Sequence, residues 1–321
     1  MDTEALSLSN APASAPDVSA VVVNRDGGEA LTRCLDSLAG QRGVALETAV
    51  VDNASAEEER RRIAAAYPAA RLVTFSRNLG FARGANEGIS RTSGRFVLLL
   101  NNDARVAPDY AARLAARLDL DDSLAAVQGI VLKPDGRTVD TAGIVWSDRG
   151  EALPFAGGRD RFEVPTEAIR VPGVSATAAM YRRSALEEIA RDGRVFEEAF
   201  FAYYEDVELS LRLSRAGWKL ALDPEAIAVH EGSRTGSRMP WRRAFWTARN
   251  RWRTLGAHFD RGFLLARLPA LAAADLAHAR RLGPAGWPLP ALVWPGAALT
   301  LLSRRRGGPR LDAFPPSPPL P

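Results

Sequence analysis

The sequence predicts an α/β fold with a mostly parallel central sheet, helices on both faces and a helical basic extension at the C-terminal end. Three observations carry this. Strand-like and helix-like stretches alternate through the first 130 residues, the pattern of a parallel sheet covered on both sides. The strand-like runs are short and β-branched, as in buried strands. Each polar cluster follows such a run, where ligands bind on sheets of this kind.

Taken in order, residues 18–23 form a buried strand and residues 29–39 carry apolar side chains at helical spacing. A second strand spans 46–51, and a charged, Ala-rich helix spans 56–66, ended by Pro68. Residues 72–75 are a short third strand, followed by a Gly-punctuated helix near 82–90. The apolar run 96–100 stops at Asn101, Asn102 and Asp103. Another helix follows Pro108, which suits a first-turn position, and 125–132 is a strand. Residues 133–170, rich in Gly, Asp and Arg, predict hairpins and loops. Helices are expected at 183–190 and 207–215, the second closed by Gly217 at the C′ position. A strand-like run at 226–229 leads to His230. No repeat of fixed period is present.

At 321 residues the chain is about twice the usual domain length, which predicts one large domain with an appendage. Residues 1–17 are rich in Ala, Ser and Pro and lack both a basic n-region and an apolar h-region, so a disordered leader is expected rather than a secretory signal. The single cysteine, Cys34, shares a helical stripe with Leu31, Leu35 and Leu38. That predicts a buried structural thiol, and nothing requires an oxidising compartment. The net charge of +4 hides a division. Residues 231–321 hold 15 Arg, no Lys and 4 acidic residues, while the remainder is net acidic. A basic tail on an acidic body points to an anionic partner for the tail.

The polar clusters have chemical readings beside plainer ones. Asn24, and Asp52 with Asn53, end the first two strands, where short polar side chains can hydrogen-bond a base or ribose; such residues also make turns and caps. Arg77, Asn78, Gly80, Arg83, Gly84 and Asn86 at the opening of a helix make a site for a diphosphate, through N–H groups, the helix dipole and arginine. The spacing fits neither a dinucleotide fingerprint nor a Walker loop, which weakens hydride-transfer and P-loop readings. Asp103, after Asn101 and Asn102, is placed to hold Mg²⁺ or Mn²⁺ through oxygen, and His230 can complete such a site. Glu205 and Asp206 open a helix, where acids cap well; one of them can also serve as a general base while the other tunes it. Ser233, Arg234, Thr235 and Ser237 are candidates to touch a diphosphate. His258 and His278 read as incidental.

Together the clusters resemble the inverting family 2 glycosyltransferases with the GT-A fold, in particular rhamnosyltransferase-like members of bacterial surface-polysaccharide pathways. The resemblance rests on an ordered series: Val-Val-Val-Asn at 21–24, Val-Val-Asp-Asn-Ala-Ser at 50–55, Asn-Leu-Gly-Phe-Ala-Arg-Gly-Ala-Asn at 78–86, Asn-Asn-Asp at 101–103, Phe-Phe-Ala-Tyr-Tyr-Glu-Asp-Val-Glu-Leu at 200–209 and His-Glu-Gly-Ser at 230–233. It implies that Asn24, Asp52 and Asn53 contact the nucleotide. Asn78, Gly80, Arg83, Gly84 and Asn86 would shape the ribose and diphosphate pocket, with Asn102 beside it. Asp103, assisted by His230, would bind the divalent metal, and Asp206 would be the base with Glu205 beside it. The stretch at 24–26 reads Asn-Arg-Asp where such proteins more often show Asn-Tyr-Asn, and the segment 171–180 lacks the expected Gly ahead of Ala178, Ala179 and Met180. That segment would face the donor sugar.

In the tail, Trp241, Phe245, Ala248, Trp252 and Leu255 lie on one helical face, with Arg242, Arg243, Arg249, Arg251 and Arg253 outside it. A basic amphipathic helix with tryptophans suits an anionic membrane surface, and equally suits packing on the catalytic domain. Residues 285–302 carry no charge, but Pro288, Pro290 and Pro295 argue against a regular helix and favour an interfacial or re-entrant segment. No recognition motif accompanies the basic tail, so nucleic acid is not an expected partner. The expected organisation is a leader at 1–17, a catalytic domain at 18–238 and a membrane-associating extension at 239–321. The expected activity is transfer of a sugar, rhamnose first, from a dTDP- or UDP-linked donor to a glycan or lipid-linked acceptor, in the cytoplasm at the inner membrane face. A non-catalytic nucleotide-sugar binder is the alternative.

Overall fold

The computed structural model describes residues 16–232, 239–302 and 311–320. The chain begins with β1 (Val18–Asn24), α1 (Glu29–Ala39), β2 (Leu46–Asn53), α2 (Glu57–Ala66), β3 (Arg71–Phe75), α3 (Phe81–Ser90) and β4 (Phe96–Leu100). It continues through β5 (Ala104–Val106), α4 (Tyr110–Leu120) and β6 (Leu124–Leu132). Short strands β7 (Val139–Thr141), β8 (Ile144–Trp146), β9 (Ala152–Pro154) and β10 (Ile169–Arg170) lead to β11 (Ala178–Arg182), α5 (Arg183–Ile189), α6 (Glu205–Arg215) and β12 (Lys219–His230). The C-terminal part is helical: α7 (Pro240–His258), α8 (Arg261–Ala266), α9 (Leu268–Arg281) and α10 (Leu289–Leu302).

The main sheet runs β10-β12-β6-β11-β4-β1-β2-β3, with β5 added to β12 and β7 to β6. β4, β1, β2 and β3 pair in parallel, and so do β6 and β12. β11 is antiparallel to both β4 and β6 and joins the two parallel sets. The carboxyl ends of β1, β2, β4, β6 and β12 therefore share one edge, where a ligand site forms on such sheets.

The continuous apolar runs are explained by burial on both faces. Along β1, Val18, Ala20 and Val22 enter one core cluster and Val21 the other, as the two-residue period of a strand requires. On α3, a Cβ at Gly88 would lie 2.3 Å from Val21 Cγ1, and one at Gly84 2.8 Å from Val23 Cγ1. The helix punctuated by glycine is thus a helix laid closely on β1.

Several expectations are corrected. Residues 178–182, for which the sequence predicts no strand, form the central strand β11; Ala178, Ala179 and Met180 carry little strand preference, and pairing on both edges decides their state. β12 extends from Lys219 through Pro224, which sits at a register shift between Asp223 and Ile227, a position where a strand tolerates proline. Pro108 precedes Asp109, the N-cap of α4, rather than occupying its first turn. Residues 289–302 are helical despite Pro295 inside the helix. Gly256 of α7 lets α10 cross closely, since a Cβ there would meet Thr300 Cγ2 at 1.9 Å.

The apolar stripe of α7 faces the protein. Ala248, Trp252 and Leu255 are buried with Ile144, Trp146, Tyr204 and Leu211 in a third cluster, while Phe245 packs at its edge. Arg251, expected outside the stripe, is buried and pairs with Asp275 at 2.9 Å. Asp275 also accepts the indole N–H groups of Trp252 (2.8 Å) and Trp294 (2.9 Å), tying α7, α9 and α10 together. His258 is not incidental: it is buried, 3.2 Å from Glu208 of α6. Among the described residues no helix is long and apolar enough to cross a membrane.

Candidate active site

A cleft of about 670 Å³ opens at the carboxyl ends of the strands. At its floor, β5 pairs with the end of β12 so that His230 lies opposite Ala104, and the Glu231 N–H donates to the Asp103 carbonyl at 2.9 Å. This register brings His230 Nε2 to 3.1 Å from Asp103 Oδ1. On its other side His230 Nδ1 meets Asp140 Oδ2 at 2.8 Å, because β7 pairs with β6 and carries Asp140 to the same edge. Burial alone would lower the His230 pKa, but the carboxylates of Asp103 and Asp140 outweigh it and raise it to about 9. Both ring N–H groups then donate to carboxylates.

Asp103 offers a carboxylate oxygen of the kind that holds Mg²⁺ or Mn²⁺, and His230 could add an imidazole nitrogen only after releasing its Nε2 proton. Among the described residues no three His, Cys, Asp or Glu side chains form a group able to hold a metal ion. A divalent ion here would need phosphate oxygens and water to complete its coordination.

The strand ends beside this floor form the second part of the cleft, lined by Asn24, Asn53, Asn78, Gly80 and Asn102. Asn102 donates to Asn24 Oδ1 at 2.8 Å, and Asn24 donates to Glu59 Oε1 at 2.9 Å. Asn53 fixes the next turn, accepting the Leu79 N–H at 2.7 Å and donating to the Gly80 carbonyl at 3.0 Å. Asp52 lies behind this wall, fully buried and bonded to the Ser55 N–H at 3.0 Å. Three other residues of the predicted set stand outside the cleft lining. Arg83 lies 3.9 Å from Glu198, Gly84 packs on Val23, and Asn86 makes a paired bond with the backbone of Phe196 at 2.8 and 2.9 Å. Ser233, Arg234, Thr235 and Ser237 lie outside the described residues.

Glu205 and Asp206 open α6 on the opposite wall. Asp206 is half-buried; its carboxylate accepts the Ala176 N–H at 3.2 Å and the Val207 N–H at 2.8 Å. The segment 175–177 that supplies Ala176 is the connection into β11, so the central antiparallel strand also positions the Asp206 carboxylate. Glu205 is buried, and its Oε2 has no hydrogen-bond partner among the described residues. Burial, and then the charge of Asp206, push the Glu205 carboxyl up to about 8, and burial likewise raises Asp206. Phe200 is core, whereas Phe201, Tyr203 and Tyr204 line the cleft.

Sequence reasoning did not find Asp140, whose role comes from strand pairing, nor the contribution of α7, whose Arg242, Arg243 and Trp246 line the same cleft. The exposed arginines Arg242 and Arg243 on an amphipathic helix were the available signal for the latter.

The cleft is lined by both the carboxylate–imidazole pair and the paired acids. The family described as Glycosyl transferase family 2 matches residues 19–190. The succinoglycan biosynthesis protein ExoO of Rhizobium meliloti is 34% identical over 126 residues, 39% of this chain and 36% of that protein. The N-acetylglucosaminyl-diphospho-decaprenol L-rhamnosyltransferase of Mycobacterium tuberculosis is 25% identical over 244 residues, 68% of this chain and 78% of that enzyme. In fold, the chain is similar to GalNAc-T7, solved with UDP, GalNAc and Mn²⁺, with a TM-score of 0.61 and 17% identity, covering 78% of this chain and 49% of that one. The chain thus spans little more than a third of ExoO and about half of GalNAc-T7. With the family matched over more than half its length, the chain belongs to glycosyl transferase family 2, and its likeness to GalNAc-T7 shows the GT-A fold of such glycosyltransferases.

Proposed function

We propose that the protein transfers a sugar, rhamnose being the leading candidate, from a dTDP- or UDP-linked donor to a glycan or lipid-linked acceptor in cell-surface polysaccharide synthesis, with inversion. The observation that carries this is the placement of the Asp103–His230 pair and the Glu205–Asp206 pair in one cleft. The rhamnosyltransferase relative supports the choice of sugar, and its diphospho-decaprenol acceptor supports a lipid-linked one.

In this reading Asn24, Asn53, Asn78 and Gly80 hold the nucleotide against the strand ends, with Asn102 bracing Asn24 and Asp52 bracing the turn behind. Arg83, Gly84 and Asn86 support the pocket by fixing α3 rather than by touching the donor. Asp103 and His230 would hold Mg²⁺ or Mn²⁺, which when bound neutralises charge on the departing diphosphate. Asp206 takes the proton of the acceptor hydroxyl. The freed oxygen attacks the anomeric carbon from the side opposite the diphosphate, and the bond to the diphosphate breaks. Glu205, protonated near neutrality, spares Asp206 a second adjacent charge.

We also place the protein in the cytoplasm at the inner face of the membrane, with residues 18–238 as the catalytic domain and 239–321 as the membrane-associating extension. The support is the exposed apolar side chains Trp287 (61%), Leu292 (55%) and Leu299 (69%) near the exposed Arg280 and Arg281. The test of donor and metal is a melting-temperature screen with dTDP, UDP and GDP, alone and as sugar conjugates, with Mn²⁺ or with EDTA. A metal-dependent rise for dTDP or UDP is expected. A rise for GDP alone, or one indifferent to EDTA, contradicts the assignment.

A further inference from the structure

The segment that delivers Glu205 and Asp206 follows a backbone path that L side chains rarely take. Phe201, Tyr203 and Tyr204 have φ of 66°, 69° and 71°, in the left-handed region, and none is glycine. Such a path persists only where the surroundings determine it. On one side, the Phe201 carbonyl accepts the Ala82 N–H at 3.2 Å and packs on Gly80, where a Cβ would lie 2.4 Å from that oxygen. On the other side the contacts come from α7.

Asn250 is fully buried, and its Nδ2 lies 2.9 Å from the Phe200 carbonyl, 2.9 Å from that of Ala202 and 2.7 Å from that of Tyr203. Its Oδ1 accepts from Arg249 Nε at 3.0 Å, which fixes the amide the right way round. Arg249 Nη2 reaches the carbonyls of Ala199 (2.9 Å) and Phe200 (3.0 Å). One turn earlier Trp246 stands against the rings of Phe201 and Tyr203, with centroids 4.8 and 6.4 Å away. Without the Asn250 amide, the carbonyls of Ala202 and Tyr203 would lose this donor, that of Phe200 would keep Arg249 and the Ala202 N–H, and the left-handed residues would be free to relax.

We infer that Asn250 is a positioning residue of the transfer reaction: it moulds residues 200–203 and thereby aims the first turn of α6, which carries Asp206. The inference rests on the reading of Asp206 as the base. Tyr204 is the N-cap of α6, so a change of backbone at 203–204 turns the helix start and with it the Asp206 carboxylate. The nucleotide side is held by β1, β2 and the Asn53 bonds, which Asn250 does not touch; residues 200–203 meet it only where the Phe201 carbonyl reaches Gly80 and Ala82. Asn250 thus acts on proton removal from the acceptor more than on donor binding.

The experiment is a double-mutant cycle in the full chain with Asn250→Ala, Asp206→Asn and both together. Transfer from dTDP-rhamnose, or from the UDP-sugar that the melting screen selects, is read as kcat, and binding of dTDP or UDP with Mn²⁺ as Kd. Asn250→Ala is expected to lower kcat roughly 10- to 100-fold while Kd stays within about threefold, and to add little further loss to Asp206→Asn. Losses that multiply, or a Kd that weakens as much as kcat falls, overturn the inference. So does wild-type transfer by Asn250→Ala beside an inactive Asp206→Asn. Full transfer by Asp206→Asn instead overturns the base assignment and the inference with it. If Asn250→Ala does not fold, as judged by its melting curve, Asn250→Ser keeps one donor and must show the same pattern with a smaller loss.

Discussion

Glu205 and Asp206 are adjacent in sequence yet differ in surroundings: Glu205 is buried with an unpaired oxygen, while Asp206 accepts two backbone N–H groups at the cleft. The difference gives a pH signature. Glu205 keeps its proton in the folded state up to about 8, against 4.5 for the exposed group. The native state therefore binds more protons than the unfolded state in that window. The stabilisation is complete below the unfolded value and is lost as pH rises through the folded one, by at most about 1.4 kcal/mol per pH unit. Glu205→Gln has no proton to lose, so its melting temperature relative to wild type should climb between pH 5 and pH 8; parallel curves would contradict the assignment. Asp140 offers a second test at this scale. In the proposed reading it would orient His230 as carboxylates behind metal-binding histidines do, and Asp140→Asn should weaken Mn²⁺ binding in the presence of UDP or dTDP roughly 10- to 100-fold by calorimetric titration. An unchanged affinity would remove Asp140 from the site. Asp103 and His230 were legible because short polar runs at strand ends stand out against apolar strands. Asp140 was not, because Val139-Asp140-Thr141 is unremarkable until β7 pairs with β6.

Among the elements, β1 to β4 and α1 to α4 announce themselves through period and apolar runs, since each is buried by its own pattern. β5 and β11 do not. Both are short, and their state is decided by what lies beside them, β12 for one and β4 and β6 for the other. That matters for the site, because β5 sets the Asp103–His230 contact and the entry to β11 presents the Ala176 N–H to Asp206. Gly84 of α3 is visible in the sequence but reads there as part of a diphosphate site. Gly84 and Gly88 are packing glycines. Gly88→Ala should destabilise the fold by about 1–3 kcal/mol, measured by urea unfolding, since its methyl group would press on the buried Val21 and Val51. A neutral or stabilising change, the ordinary helix-propensity outcome, would mean that α3 can lift from β1.

For the whole molecule, the sequence showed an amphipathic basic helix but not the direction of its apolar face. Arg251, Trp252 and Asn250 turn inward, so α7 packs on the body of the protein, and within the proposed extension membrane contact would fall to the helices beyond it. Trp287 and Leu299, both exposed, are the side chains to test. Replacing both with Ser should reduce sedimentation with phosphatidylglycerol vesicles several-fold while leaving the melting temperature in place. Equal binding by the variant would move the membrane face elsewhere.

The central claim is that one cleft holds the donor by its strand ends and the acceptor proton by Asp206. The most direct measurement is the transfer rate of Asp206→Asn, taken together with its metal-dependent affinity for UDP and dTDP. The account predicts nucleotide binding within about twofold of wild type and a rate lower by roughly 10²- to 10⁴-fold. Transfer at the wild-type rate, or loss of nucleotide binding in step with the rate, would contradict it.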